Sequence, residues 1–411
     1  MLLKLAFKSL LHRKASVILT TIALSMSLFV MFGVGYVKEQ AKASFASSVS
    51  GVDLIVGART GDMNLLLYSV FRIGKATSNM SWNSYNKLAQ EPMVKWSFPI
   101  ALGDSHRGYR VLGTTTDYFT HLSYAQQQPL IFAAGDKFGR IFDVVVGAEV
   151  AKKLNYQIND NITLSHGIGS TSFTHHDDMV FRIVGILAPT GTPVDQTLHV
   201  SLQGLEAVHL TKQQRNKLLL IRDKRITAHS SLVPQSITAV MVGLTSRMGV
   251  FQLQRKINSN TDEPLMAILP GVALSELWQM MSVAENTLAL VSILVVVSTL
   301  FGLSAMLLAS IRERQQEIKL LRVIGASPFF VYFLIELEAL FIAVLSVLIA
   351  LTALIVSLTV ANDFLLAEYG LSIGSNVVSV EIIESIGIIL LLTVLAAFPP
   401  SFKAFYQANR K

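Results

Sequence analysis

Four long apolar stretches set what this chain can fold into. The first is ASVILTTIALSMSLFVMFGVGYV, Ala15 to Val37. The others run from about Thr287 to Ser310, from about Phe329 to Val360 and from about Ile382 to Phe398, the last ending at Pro399-Pro400. A bilayer core takes roughly 20 apolar residues in a helix, so each stretch is long enough, or nearly so, to cross a membrane. The third exceeds that need and predicts a helix that tilts or protrudes. Only 15% of the 411 residues are charged, against about a quarter in soluble domains, and the deficit lies in these stretches. The segment between the first and second has ordinary polarity. The distribution predicts four transmembrane α-helices and one large water-exposed domain inserted between the first two. Ala41-Lys42-Ala43 has the form of a signal cleavage site. The apolar run before it is longer than the roughly 7–15 residues of a signal peptide, and it reads as a retained anchor.

Basic residues give the direction. Lys4, Lys8, Arg13 and Lys14 precede the first stretch; Arg312, Arg314, Lys319 and Arg322 separate the second from the third; Lys403, Arg410 and Lys411 follow the fourth. The loop at about 361–381 has Asp363, Glu368 and Glu381 but no Lys or Arg. All basic flanks fall on one side of a four-span layout, which the positive-inside rule makes cytoplasmic. The expected order is a cytoplasmic N-terminus (1–14), span one (15–37), an external domain (38–285) and span two (287–310). A cytoplasmic segment (311–328), span three (329–360), a short external loop (361–381), span four (382–398) and a cytoplasmic tail (399–411) complete it. The same flanks account for the net charge of +7, so nucleic acid is not an expected partner. With no cysteine in the chain, disulfides and thiolate chemistry are excluded.

The external segment reads as α+β. SWNSYNKLAQ (81–90) and VGAEVAKKLN (146–155) carry apolar residues three or four apart, a helical pattern. DVVVGA, DNITLSHG, FRIVGIL, QTLHVSL and SITAVMVGL are rich in β-branched residues, bounded by turn formers, and predict strands. PTGTPVD (189–195) is a turn. Composition shifts near 125–135 and 225–236 suggest a strand-rich subdomain (about 126–232) set between two halves of another (about 38–125 and 233–285). The apolar LLLYSVF within 51–74 reads either as core or as a surface touching membrane or cargo.

Catalytic constellations are sparse. The chain has no G-x-x-x-x-G-K-[ST], G-x-S-x-G or H-E-x-x-H. Ser84-Tyr85-Asn86-Lys87 matches S-x-x-K without the companion motifs of that chemistry. The densest polar cluster, LSHGIGSTSFTHHDDMVF, holds His166, His175, His176, Asp177 and Asp178. Imidazole and carboxylate suit zinc or haem iron, but adjacent strand residues point to opposite faces, so an exposed polar loop is the competing reading. His199 and His209 read as ordinary surface or half-buried histidines. Glu336 and Glu338, near the start of span three, are expected to pair with a basic residue of the loop or of another subunit, or to snorkel to the interface.

The charged segment IRERQQEIKLLRVIGAS (311–327) has six charged residues in seventeen between two of the most apolar runs. On a helical wheel Arg312, Gln315, Gln316, Lys319 and Arg322 form a polar stripe, with Ile318 and Leu321 opposite. Gly325 is placed to end one helix, and Ser327-Pro328 to begin the next. From the residues alone it is a short amphipathic helix that either only fixes topology or docks a cytosolic partner.

The segment resembles the R-x-R-x-x-E-I-x-L-L-R-x-x-G-A-S signature of FtsX/MacB-type (type VII) ABC transporter permeases. Arg312, Arg314, Glu317, Ile318, Leu320, Leu321, Arg322, Gly325, Ala326 and Ser327 stand at matching positions. The layout of one span, a large external domain and three spans is similar to that family too, as are its "porter" and inserted "sabre" subdomains. The resemblance implies a stand-alone, non-catalytic permease subunit whose coupling helix docks a separate P-loop ATPase dimer that binds ATP and magnesium. It further implies two paired permease chains in the inner membrane, beside membrane lipid and a periplasmic substrate-binding or adaptor protein. ATP-driven closure would then move the external domains by mechanotransmission, acting on lipoprotein, peptide, haem or metal in the periplasm or outer leaflet. Force transmission to a periplasmic cell-wall hydrolase, with nothing transported, is the alternative.

Overall fold

The computed structural model describes residues 2–48, 50–74, 76–125, 127–166, 175–210, 232, 234–369 and 379–409. Two compact units emerge: Met1–Gln40 with Ser282–Asn362 and Gly374–Lys411, and Ala41–Met281 with Asp363–Ile373.

The helical unit begins with α1 (Leu2–His12) and α2 (Lys14–Ser47). Among the described residues four helices are long and apolar enough to span a bilayer: Lys14–Ser47, Pro270–Glu313, Pro328–Ala361 and Val380–Asn409, as expected. The third presents Ala339, Ala343, Ser346 and Ala350, all at 0% exposure. Small side chains at spacings of three and four let helix backbones close together, and Ser346 Oγ donates to the Thr21 carbonyl at 3.2 Å. The outer faces, by contrast, leave Ile22, Met26, Leu294 and Leu348 more than half exposed, as a lipid-facing surface requires. Helix lengths differ from the sequence expectation. α2 passes Val37 by ten residues, and the fourth helix continues through Pro399 and Pro400 to Asn409. Each proline removes one backbone donor, but Pro400, Ser401, Ala404 and Ala408 are buried, so packing holds the helix beyond the break.

The other unit is built on a ten-stranded mixed sheet. Its strands are β1 (Leu54–Ala58), β3 (Val94–His106), β4 (Tyr109–Thr114), β7 (Phe132–Gly135), β8 (Asp143–Val146), β9 (Asn161–His166), β10 (His175–Leu187), β11 (Thr197–Ser201), β13 (Ala239–Leu244) and β14 (Leu265–Ile268). Two short pairs lie apart: β2 (Met80–Ser81) with β12 (Ser236–Ile237), and β5 (Ser123–Tyr124) with β6 (Gln128–Pro129). The order is β14-β1-β13-β3-β4-β11-β8-β10-β7, with β9 against β10 and β3. Among the described residues only β4–β11 and β8–β10 pair in parallel.

Helix α3 (Asp62–Ser69) covers one sheet face, and α4 (Trp82–Ala89) and α8 (Val250–Asn258) the other. Strand alternation explains why β1 is buried throughout: Ile55 joins the core of Leu65, Phe98 and Met241, whereas Leu54 and Val56 join Leu88, Leu253 and Ile257. Leu65, Leu66 and Tyr68 are at most 3% exposed, so LLLYSVF is core. A third core, with α6 (Ala148–Leu154) and α7 (Leu202–Val208), covers Val144, Phe181 and Val200. The thirteen-residue β3 is common to both ends of the sheet, pairing β13 through its first half and β4 and β9 through its second. Gly243 is required where the Trp96 indole lies on the backbone: a Cβ there would meet the ring at 2.1 Å. The 189–195 turn is held by Asp195, whose carboxylate accepts from Thr190 N at 2.9 Å and Gly191 N at 2.8 Å.

Candidate functional site

Helix α9 (Pro270–Glu313) ends at the charged segment, and α10 (Gln315–Val323) follows after one residue. Arg314 occupies that junction with φ −101° and ψ 17°, so the chain turns without a loop. The far end closes in a Schellman arrangement. Gly325 N donates to Arg322 O at 3.0 Å and Ala326 N to Leu321 O at 2.9 Å, while Gly325 takes φ +100°. Only glycine adopts that region freely. Ser327 then caps α11 (Pro328–Tyr369), its Oγ accepting from Phe330 N at 3.2 Å, with Pro328 at the first helical position.

The corner is anchored by one carboxylate. Glu338, on α11, has a side chain 1% exposed. It accepts from Arg314 Nη1 at 2.9 Å, from Arg13 Nη2 at 3.1 Å and from Ser9 Oγ. Arg314 Nε also donates to Glu317 at 2.8 Å. A buried ion pair is sustained only when both charges are matched and hydrogen-bonded. Here two guanidiniums meet two carboxylates, and Ser9 supplies a third donor to Glu338. The hub thereby joins α1, the α1–α2 junction, the α9–α10 junction and α11. Beside it a cleft of about 700 Å³ opens between α1 and α10, lined by Leu5, Lys8, His12, Gln316, Leu320 and Leu321 among others.

The rest of α10 is open. None of its residues is buried, and Leu320, Val323 and, just after it, Ile324 are 64%, 87% and 75% exposed. Of the residues singled out by sequence, Arg312, Leu320 and Arg322 face outward, and Arg322 Nη1 bonds the Ala326 carbonyl at 2.8 Å. Ile318 and Leu321 are half-buried. Arg314 turns inward to the hub. Gly325, Ala326 and Ser327 shape the corner's exit. The wheel therefore placed the apolar contact side incompletely, because it omitted Val323 and Ile324.

Glu338 pairs with a basic residue of the loop, as one sequence reading expected. Glu336 points elsewhere: it is 6% exposed, with Tyr332 and Ser401 as its polar neighbours. Sequence reasoning missed Ser9, Arg13 and α1 itself. Its signal was present in LLKLAFKSLLH, where Leu3, Phe7 and Leu11 recur at four-residue spacing and Lys4, Lys8 and His12 do the same.

In the sheet unit, His166 ends β9, and His175, His176 and Asp177 open β10, with His175 opposite Ser165. Their side chains, and residues 167–174, lie outside the described residues. Among the described residues no group of three His, Cys, Asp or Glu converges as metal ligands. Ser84 Oγ donates to Glu263, and Lys87 lies 3.4 Å from Asp262, which accounts for the S-x-x-K match as surface hydrogen bonding. His199 corrects the sequence expectation, being 0% exposed rather than at the surface or half-buried. Its Nε2 lies 3.2 Å from the Tyr118 hydroxyl, and burial pushes its pKa down to about 3, with Arg72 adding to the effect. Burial also lowers the pKa of His106. Its Nδ1 lies 2.6 Å from the Thr163 carbonyl and its Nε2 2.6 Å from Tyr156 Oη. A carbonyl only accepts, so Nδ1 carries the proton and the neutral ring accepts from Tyr156 at Nε2.

Above the spans, α2 and α9 touch within each unit. Lys38 Nζ lies 2.9 Å from Glu285. Further along, Lys42 sits 5.5 Å over the Trp278 ring, and Phe45 packs edge-on to it at 5.6 Å.

Four membrane-spanning helices, a charged corner after the second and a large mixed-sheet unit between the first two define a multi-pass membrane subunit of the permease kind. Residues 289–408 match the FtsX-like permease C-terminal family model and residues 17–259 the MacB-like periplasmic core domain. The chain belongs to the FtsX/MacB-type ABC transporter permeases, and its sheet unit is the extracytoplasmic domain of that family. No curated protein matches it. Among solved structures, the periplasmic region of MacB from Actinobacillus actinomycetemcomitans is similar at 11% identity and TM-score 0.36, covering 56% of this chain and 94% of that one. The extracellular domain of YknZ, a noncanonic ABC-type transporter from Gram-positive bacteria, is similar at 13% identity and TM-score 0.30, covering 53% and 99%.

Proposed function

We propose that this chain is the inner-membrane subunit of an ABC complex whose ATP hydrolysis is supplied by a separate P-loop ATPase dimer docked on α10. Two copies of the chain pair, and nucleotide-driven closure of the ATPases moves α2 and α9. Their extensions beyond the lipid carry that motion to the external domain, which acts on a periplasmic or outer-leaflet substrate such as a lipoprotein, peptide, haem or metal ion. The observation that carries the reading is the outer face of α10. Leu320 and Val323 stand exposed there and Ile324 just beyond it, on a segment outside the candidate spans. A water-facing patch of that kind favours a protein partner, and α10 reaches the spans through a rigid hub rather than a slack loop.

The test is the Leu320→Asp/Val323→Asp double variant. Both side chains already face solvent, so folding stability should change by no more than about 0.5 kcal/mol each. Loss of two central apolar contacts should weaken ATPase capture by roughly 100-fold or more. Co-purification of the ATPase and ATP turnover of the reconstituted complex measure this. A double variant that retains both sinks the reading. Zinc or haem at His166, His175, His176 and Asp177 is a separate proposal, checked by calorimetric titration of the full chain.

A further inference from the structure

α1 has three faces. Ala6, Ser9 and Leu10 are buried against the rest of the helical unit, at 0%, 8% and 9% exposure. Leu3, Phe7 and Leu11 form an apolar strip with 59%, 57% and 56% of their surface exposed. Lys4, Lys8 and His12 form a third, exposed strip alongside. The helix ends at His12 and the first candidate span begins at Lys14, so α1 lies within one residue of the membrane surface. An apolar strip flanked by a basic one, at that height, is the form of a helix lying in the lipid interface. Anionic headgroups attract lysines held at a membrane surface, which identifies the occupant by charge as well as by position.

We infer that α1 binds the anionic phospholipid headgroups of the cytoplasmic leaflet and passes its position to the α9–α10 corner through Ser9 and Glu338. Leu3, Phe7 and Leu11 enter the acyl boundary, and Lys4 and Lys8 meet the phosphates. Ser9, on the opposite side of α1, donates to the carboxylate that also holds Arg13 and Arg314. Any tilt of α1 toward or away from the leaflet therefore acts on the residue that sets the corner. Lipid charge becomes an input to the corner's geometry. The inference rests on the cytoplasmic placement of this side of the molecule and does not require the ATPase.

The absence of cysteine makes single-cysteine labels clean. A bimane label on Phe7→Cys in the full chain is read in vesicles of phosphatidylcholine alone and in vesicles with about 30% phosphatidylglycerol. Quenching by brominated lipid is expected to rise at least about twofold in the anionic vesicles, and Lys4→Glu/Lys8→Glu should abolish the rise. In parallel, maleimide reaction at Gln316→Cys, in the cleft, should change rate with lipid charge in the otherwise unmodified chain and become insensitive to it in Ser9→Ala. Quenching unaffected by lipid charge overturns the headgroup binding. A Gln316→Cys rate that ignores lipid charge, or that responds equally in Ser9→Ala, overturns the transmission. Either result can be obtained whether or not an ATPase is ever captured, so failure here is distinct from failure of the docking reading.

Discussion

Glu338→Ala is expected to destabilise the helical unit by about 3–5 kcal/mol, the cost of removing one member of a buried ion pair and leaving its partners charged. Here two guanidiniums are stranded, since Arg13 and Arg314 both lean on the same carboxylate, and Ser9 loses its acceptor. Arg314 keeps Glu317, so its loss is partial; Arg13 has no such second carboxylate at hydrogen-bond distance among its described contacts. Glu338→Gln restores the shape and one acceptor oxygen but not the charge, and should fall between the two. Thermal unfolding of the full chain in detergent gives the order: wild type, then Gln, then Ala. Arg13→Met combined with Glu338→Leu should recover part of the stability, because Arg13 is removed together with the carboxylate and Arg314 keeps Glu317. That double variant should nevertheless transmit poorly from α10 to the spans, since stability and linkage would then be separated.

A second large effect is expected from acid. His199 titrates at about 3 in the folded chain and near 6.5 when unfolded. In that window the unfolded state binds the proton and the folded state does not, so stability rises with pH. The contribution is whole above about pH 6.5, falls by about 1.4 kcal/mol per unit below it, and is gone near pH 3. By about pH 4.5 the loss is roughly 3 kcal/mol. His106, also lowered by burial, acts in the same direction. Amide exchange of β8 and β11 in the full chain, read at neutral and acid pH, reports this loss. In His199→Gln the neutral form persists at every pH, so the acid slope should flatten although the neutral-pH stability drops. An unchanged slope in His199→Gln would mean that another group drives the acid response.

Much of this architecture is readable from residue pattern because membrane burial is dictated by length and polarity. Four apolar runs became four long helices, and the β-branched runs DVVVGA, FRIVGIL and QTLHVSL became β8, β10 and β11. Gly325 and Ser327 were legible for the same local reason: a left-handed corner and a helix start each demand particular residues. What pattern could not supply was pairing across hundreds of positions. Ser9 and Glu338 are 329 residues apart, and nothing in either neighbourhood names the other. The prolines of the fourth helix misdirected the expected end because tertiary packing, not local propensity, carries that helix to Asn409. His199 read as a surface or half-buried residue from its sequence, yet it lies on a strand flanked by β4 and β8 and is 0% exposed.

The most direct measurement of the docking claim is photocrosslinking from position 323, with a benzophenone side chain in place of Val323, in intact cells. The prediction is one dominant protein adduct that binds ATP and whose formation changes with nucleotide, with the same site closed to membrane-impermeant reagents applied from outside. Labelling of position 323 from the cell exterior, or adducts with lipid alone, would contradict it.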